Sequence, residues 1–456
     1  MTDELSARPC SRRRFIANSA LAAGATLAAG SLLERRGISP ARAARERATG
    51  TVTVFGFANE ITPAYIKLFE QQNPGIVVRF VAYDPVRLTA ALAAGQAPDF
   101  VRTYGATEMP NLVARGIAAD LTPYFAKSTV LKEADIAAVN DLYRFDGLIQ
   151  GKGDRYGLAF DYSQDGAFWY NKKLFDRAKQ TYPSGTTPMG YDDLLALAKR
   201  LTVRKNGKIL VYGLDPEFGF VTQGRLNQMV AQQGKSLFNA DLTEADFTTP
   251  EARRALKWFV DVAQAHVGPS PLDPNPDGWS WPPFQAGRMA MAMYGYWFGG
   301  VISGDTHGLG ASSALAPAPQ MGPTHVDACF TATGAFIPAA SKNKDLGFRF
   351  MEFYFGGAPE RADISAGHGN PTLNSLVPLL PRIVPWQKAA YEVQQASLKH
   401  LSVLRFSPYM ADSAFETAFS KAMTPVMQGK ATFDDGAKQL NDAVNTLLKR
   451  GKAQLG

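Results

Sequence analysis

The chain has 456 residues, with 48 Lys and Arg against 41 Asp and Glu, a formal charge of +7 and 46 % hydrophobic side chains. That length exceeds what one hydrophobic core usually organises, so two domains or lobes are expected. Residues 1–43 hold seven arginines; the other 413 residues carry 41 basic against 38 acidic side chains, a net of +3, which removes the main support for nucleic-acid binding.

Arg12 and Arg13, within Ser11-Arg12-Arg13-Arg14-Phe15-Ile16, precede an apolar stretch from Ile16 to Leu33 that contains no charged side chain. A basic start, an apolar middle and a small-x-small exit predict a secretory signal, and paired arginines followed by phenylalanine predict the twin-arginine kind. Ala41-Arg42-Ala43 reads as the exit, leaving Ala44 as the mature start in the periplasm. The competing reading is a retained membrane anchor, for which a stretch of about 18 residues is barely long enough. Its glycine and alanine content also argues for cleavage. Cys10 lies before the apolar stretch, which speaks against lipidation. Cys329 then remains as a lone thiol, and no intramolecular disulfide is expected.

From Thr51 the pattern alternates between strand and helix. Thr51-Val52-Thr53-Val54-Phe55 is a β-branched run suited to a buried strand. Thr62-Pro63 starts a helix whose Tyr65, Leu68 and Phe69 form an apolar stripe, and Asn73-Pro74-Gly75 stops it. Ile76 to Val81 is a second strand, Asp84-Pro85 starts a second helix that Gly95 ends, and Phe100-Val101 begins a third strand. Such repeats imply a parallel sheet with helices on its faces and ligands beyond the carboxyl ends of its strands. Further along, residues 183–190 form a loop before a helix carrying Leu194, Leu197, Ala198 and Leu201. Residues 268–283 hold six prolines with Trp279 and Trp281, a rigid irregular loop. Met289 to Met293 reads as a short buried strand running into Tyr294-Gly295-Tyr296-Trp297.

Eight segments, in order, carry a resemblance. They are Phe69 to Ile76, Leu92 to Asp99, Gly116 to Leu121, Tyr156-Gly157-Leu158, Trp169 to Phe175, Phe284 to Met291, Tyr294 to Trp297 and Ala316-Pro317-Ala318-Pro319. In this order the chain resembles the solute-binding proteins of ABC importers, specifically the large sugar-type family that includes the maltose-binding protein. Two departures, Phe55-Gly56-Phe57 where the family often has tryptophan and Phe160 where it has proline, bear on the ligand rather than the family. The resemblance implies an α/β, two-lobed periplasmic-binding-protein type II fold, hinge-connected, with the ligand cleft between the lobes. It assigns residues 44–160 and 316–372 to lobe one, and 161–315 and 373–456 to lobe two. It implies a monomer without cofactor or metal that captures a small molecule, a mono- or oligosaccharide, and delivers it to the transmembrane subunits of an ABC permease.

Sugar capture needs aromatic faces for the C–H faces of a pyranose and planar amides or carboxylates for its hydroxyls. Asn59 and Glu60 follow the first strand at a family position that meets ligand; capping of the next helix is the competing reading. Tyr83 follows the second strand, where Asp84 reads as a helix cap, and Tyr104 follows the third. Asp161 and Gln164 sit where the chain first crosses between lobes. Tyr296 and Trp297 fall on the family's cleft-lining Gly-x-Trp element, though an aromatic pair is more often core. Trp279, Phe218 and Tyr409 are further aromatic candidates, and Gly334 would let backbone approach the ligand.

Asp161 with Asp165 invites a glycosidase reading, but four residues apart in a non-helical segment they have no enforced geometry. The Gly-x-Ser-x-Gly, His-Glu-x-x-His, P-loop and Gly-x-Gly-x-x-Gly patterns are absent, and the five histidines lack metal-ligand spacing. An enzyme is therefore not expected, an exported polysaccharide hydrolase being the least favoured alternative. A second binding class stays open: a glycerophosphodiester or other anionic solute held by Arg102, Arg225 or Arg361.

Overall fold

The computed structural model describes residues 49–455, apart from 104, 148, 220 and 403. The twin arginines and the apolar stretch after them therefore lie outside the described residues. Strand Gly50–Gly56 has Val52 and Val54 at 0 % exposure, the burial expected of a β-branched run covered on both faces. It pairs in parallel with Ile76–Ala82 along seven positions and with Phe100–Thr103 on its other side. The connecting helices begin where their caps predict. Thr62 Oγ1 accepts from the Tyr65 backbone N–H (3.3 Å) ahead of Pro63–Gln72, and the Asp84 carboxylate accepts from the Arg87 N–H (2.8 Å) ahead of Pro85–Ala93.

The sheet is mixed rather than wholly parallel. Gly334–Phe336 inserts antiparallel between Phe100–Thr103 and Gly157–Ala159. Gly157–Ala159 therefore runs parallel to the first three strands, and Gly334–Phe336 runs against them. Helix Lys344–Gly356 then lays Phe350, Phe353 and Tyr354 against the same core. Phe69 meets Phe350 and Phe353 edge-on at 5.1 and 5.3 Å, pairs worth about 0.5–1.5 kcal/mol each beyond their area.

A second sheet places Phe168–Asn171 between Met291–Ala292 and Ser313–Ala316, antiparallel to both. Helices Thr222–Gln232, Pro250–Gln264, Asp412–Met427 and Phe433–Leu455 build its main core, where Phe259, Phe415 and Phe419 pack. The strand read from Met289 to Met293 is shorter than expected but fully buried. Ala316 still pairs with Phe168 in this second sheet.

The chain passes between these bodies in extended segments. Asp161–Tyr162 pairs with Asn370–Pro371, and Asp327–Ala328 pairs with Leu401–Ser402. Asp165 ties two crossings together: its carboxylate accepts from the backbone N–H of Phe330 (2.7 Å) and Thr331 (2.9 Å) and from Thr331 Oγ1 (2.6 Å). Among the described residues no helix is long and apolar enough to cross a membrane.

Candidate ligand-binding cleft

A cavity of about 820 Å³ opens at these crossings, within the range typical of small-molecule sites. The first sheet contributes Phe57, Asn59 and Glu60 from the loop after its first strand, together with Thr333. The crossing segments add Asp161, Ser163, Asp165 and His368, and the second body adds Asp215, Glu217, Phe218, Trp279, Tyr294 and Trp297.

Behind the first wall lies Arg102, 1 % exposed at the end of its strand. Its Nε donates to Glu60 Oε2 at 2.8 Å, and its Nη2 to Asp161 Oδ1 at 3.3 Å and to Thr333 Oγ1 at 3.1 Å. Tyr354 Oη also donates to Glu60 Oε2 (2.7 Å), and Thr333 Oγ1 to Asp161 Oδ1 (2.6 Å). The guanidinium lies 5.4 Å from the Phe57 ring and 5.2 Å from the Phe160 ring, so the residue in place of the family's proline covers a buried cation. Burial would raise the Asp161 carboxyl, but the hydrogen bond from His368 and the Arg102 charge hold it below the usual range. Burial would likewise lower His368; Asp363 and Asp161 outweigh that and push it up to about 9. A charged network thus fixes this wall before any ligand arrives.

The opposite wall is built around Asp215. Its Oδ2 accepts from Tyr294 Oη (2.6 Å) and Ser280 Oγ (2.5 Å), and its Oδ1 from the Glu217 N–H (2.7 Å). Glu217 is held at φ +62°, a left-handed conformation unusual for a residue with a side chain. Tyr294 and Trp297 rings lie 5.7 Å apart, and Trp297 faces His368 at 5.5 Å, so one indole joins the two walls.

Six of the residues expected from sequence line this cavity: Asn59, Glu60, Asp161, Phe218, Trp279 and Trp297. The helix cap proves to be Thr62, not Asn59 or Glu60. Tyr83 stands one layer back, its hydroxyl accepting from Thr103 Oγ1 at 3.0 Å and its ring edge-on to Phe57 at 5.5 Å. Gln164 is 0 % exposed and its Oε1 accepts from Gln394 Nε2; it is absent from the lining. Tyr296, 2 % exposed, belongs to the core around Trp169 and Trp281, on the opposite side of its turn from Trp297. Tyr409 packs half-buried against the second core. Gly334 serves the sheet rather than the cleft, because a side chain there would strike the Leu158 carbonyl and the Tyr143 hydroxyl. Tyr104 lies outside the described residues.

Asp215, Glu217, Tyr294, Thr333 and His368 were missed by the sequence reading. The local signals that could find them are the glycines on either side of His368 and the turn Asp215-Pro216-Glu217-Phe218-Gly219 around Glu217. Cys329 is 0 % exposed, and burial pushes its thiol up, which fits an inert core residue. Among the described residues no group of three or more His, Cys, Asp or Glu is arranged to hold a metal ion.

Residues 58–357 match the family model of the bacterial extracellular solute-binding proteins, and the chain belongs to that family. No curated protein matches the chain. Solved structures of the same fold include an ABC substrate-binding protein from Listeria monocytogenes in complex with cycloalternan. It is 23 % identical, with a TM-score of 0.72 over 88 % of this chain and 100 % of that one. A solute-binding protein from Thermotoga lettingae bound with α-D-tagatose shows 20 % identity and a TM-score of 0.72, over 88 % of this chain and 99 % of that one. One from Agrobacterium vitis with bound D-mannitol shows 20 % identity and a TM-score of 0.66, over 89 % and 99 %.

Proposed function

We propose that the protein is the solute-capturing component of an ABC uptake system, that its solute is a carbohydrate, and that the solute is handed to the transmembrane permease by the closed form. The observation that carries this is the wall chemistry of the cleft: aromatic faces at Phe218, Trp279 and Trp297 beside fixed carboxylates. Aromatic rings cover sugar C–H faces, and preorganised carboxylates accept hydrogen bonds from the sugar's hydroxyls with little reorganisation. The sugars and sugar alcohol bound by structures of the same fold support the reading. The anionic alternative loses its arginines: Arg102 is committed to Glu60 and Asp161, Arg225 is 0 % exposed, and Arg361 is exposed and outside the lining. Catalysis is not part of the proposal, since Asp161 and Asp165 are engaged by hydrogen bonds that hold the crossings.

Lobe one comprises residues 44–160 and 316–372 and lobe two 161–315 and 373–456, with Ala316 at the boundary paired into the second sheet. The protein works as a monomer in the periplasm after twin-arginine export and removal of residues 1–43. Replacing Arg12 and Arg13 by lysine should strand precursor in the cytoplasm, and undiminished export of that variant would refute the route.

A thermal-shift panel of sugars, sugar alcohols and glycerophosphodiesters tests the solute class. A ligand at 100 times its Kd adds about 2.7 kcal/mol of stability. Trp297→Ala should weaken the responding sugar by roughly 30-fold while melting stays cooperative. A response to glycerophosphodiesters alone would overturn the carbohydrate reading.

A further inference from the structure

We propose that the solute carries a basic amine and that Glu217 selects it. This rests on reading the cleft as a carbohydrate site and narrows the ligand to an amino sugar.

Six carboxylates line the cavity: Glu60, Asp161, Asp165, Asp215, Glu217 and Glu416. Five are already engaged. Arg102 holds Glu60 and Asp161, backbone N–H groups hold Asp165, Ser280 and Tyr294 hold Asp215, and Glu416 Oε1 accepts from the N–H of Thr222 (2.8 Å) and Gln223 (3.2 Å). The Glu217 carboxylate accepts no hydrogen bond among the described residues, although its backbone is held in a left-handed conformation by the bond from its N–H to Asp215. A left-handed backbone held in place beside an unpartnered carboxyl is the kind of local strain that collects at ligand sites.

On this side three carboxyls, Asp165, Asp215 and Glu217, are set against one buried cation, Arg225. Among the described residues His368 is the only basic side chain in the lining, and it is bound up with Asp161 on the other wall. Arg225 is 0 % exposed, with Nη2 donating to the Met293 carbonyl at 3.4 Å and its guanidinium 5.7 Å from the Phe330 ring. Burial and the charges of Asp215 and Asp165 push the Glu217 carboxyl well above the usual range, with Arg225 pulling the other way. A cleft that is empty or filled by a hydroxyl therefore favours the protonated, neutral Glu217, whereas an ammonium beside it draws out the carboxylate and pairs with it. An ammonium compensates it and gains from the flanking rings Phe218, Trp279 and Tyr294. Trp279 lines the cavity and is 37 % exposed. Ser163 lines the same cavity at 1 % exposure, its unpartnered hydroxyl buried against Gly295.

The test is calorimetric titration of the purified protein with glucosamine oligosaccharides, with their N-acetylated counterparts, which keep the rings and lose the charge, and with spermidine, which has amines and no ring. Glucosamine oligomers should bind at least about tenfold more tightly than the N-acetylated ones, as expected for a charge-assisted hydrogen bond. Glu217→Gln, checked for an unchanged melt, should abolish the preference. Equal or tighter binding of N-acetylated oligomers to the wild type would overturn the amine inference and leave the carbohydrate reading standing. Binding of spermidine without any sugar would keep the role of Glu217 and overturn the carbohydrate reading. Binding of none of the three would overturn this inference whatever the sugar panel shows.

Discussion

His368 is the residue whose charge state matters most to the first wall. Its ring faces Asp161 at 3.4 Å and Trp297 at 5.5 Å, with Asp363, Glu60 and Arg102 contributing charge around it. Because its pKa rises from 6.5 to about 9 on folding, the protonated imidazolium favours the folded state. That contribution is complete below pH 6.5 and is lost as pH climbs through about 9. Asp363, raised to about 7 by burial and by the Asp161 and Glu60 charges, adds a second loss at lower pH, between its unfolded value of 3.8 and about 7. The melting temperature should therefore fall between pH 6.5 and 9 in the wild type and fall less in His368→Asn. Parallel pH profiles for the two proteins would show that His368 carries no such charge.

At the level of helices and strands, the cap of Pro85–Ala93 separates structure from binding. Asp84 spends its carboxylate on the Arg87 N–H and does not line the cleft. Asp84→Ala should lower unfolding stability by about 1 kcal/mol in urea melts and leave ligand affinity unchanged. A loss of affinity without a loss of stability would reverse that assignment. The elements between residues 50 and 103 were legible because each has a local signal: β-branched runs for the strands, Thr62-Pro63 and Asp84-Pro85 for the helix starts, Gly95 for a stop. Gly334–Phe336 was not read as a strand, because three residues have no measurable period and their partners lie far away in sequence. The cleft divides in the same way. Trp297 and Glu60 stood on elements with recognisable neighbours, whereas Asp215, Glu217 and His368 come from irregular segments without a periodic pattern, Glu217 being fixed by its bond to Asp215. Tyr296 and Trp297 were adjacent candidates, and only the turn at Gly295, with φ +64°, decides which faces the cavity.

For the molecule as a whole, the paired crossings are where the two bodies would bend if a ligand draws them together. Asp165 binds two crossing segments side by side, so they must bend together rather than separately. A solute touching both walls favours the closed arrangement by its differential affinity, and one touching a single wall equally in both states could not. Small-angle scattering should show a smaller radius of gyration at saturating ligand; identical curves would point to a rigid pocket. The central position of Gly334–Phe336 has a further consequence, for biosynthesis. This strand leaves the ribosome about 175 residues after Gly157–Ala159, which at about 5–20 residues per second is a delay of roughly ten seconds or longer. During that interval the two strands it will join have facing edges unpaired, and Arg102 lacks both Thr333 and Tyr354. The first lobe to be translated is therefore unable to complete its fold until the second lobe's sheet has already been made, and a nascent chain needs shelter on its earliest strands rather than its latest.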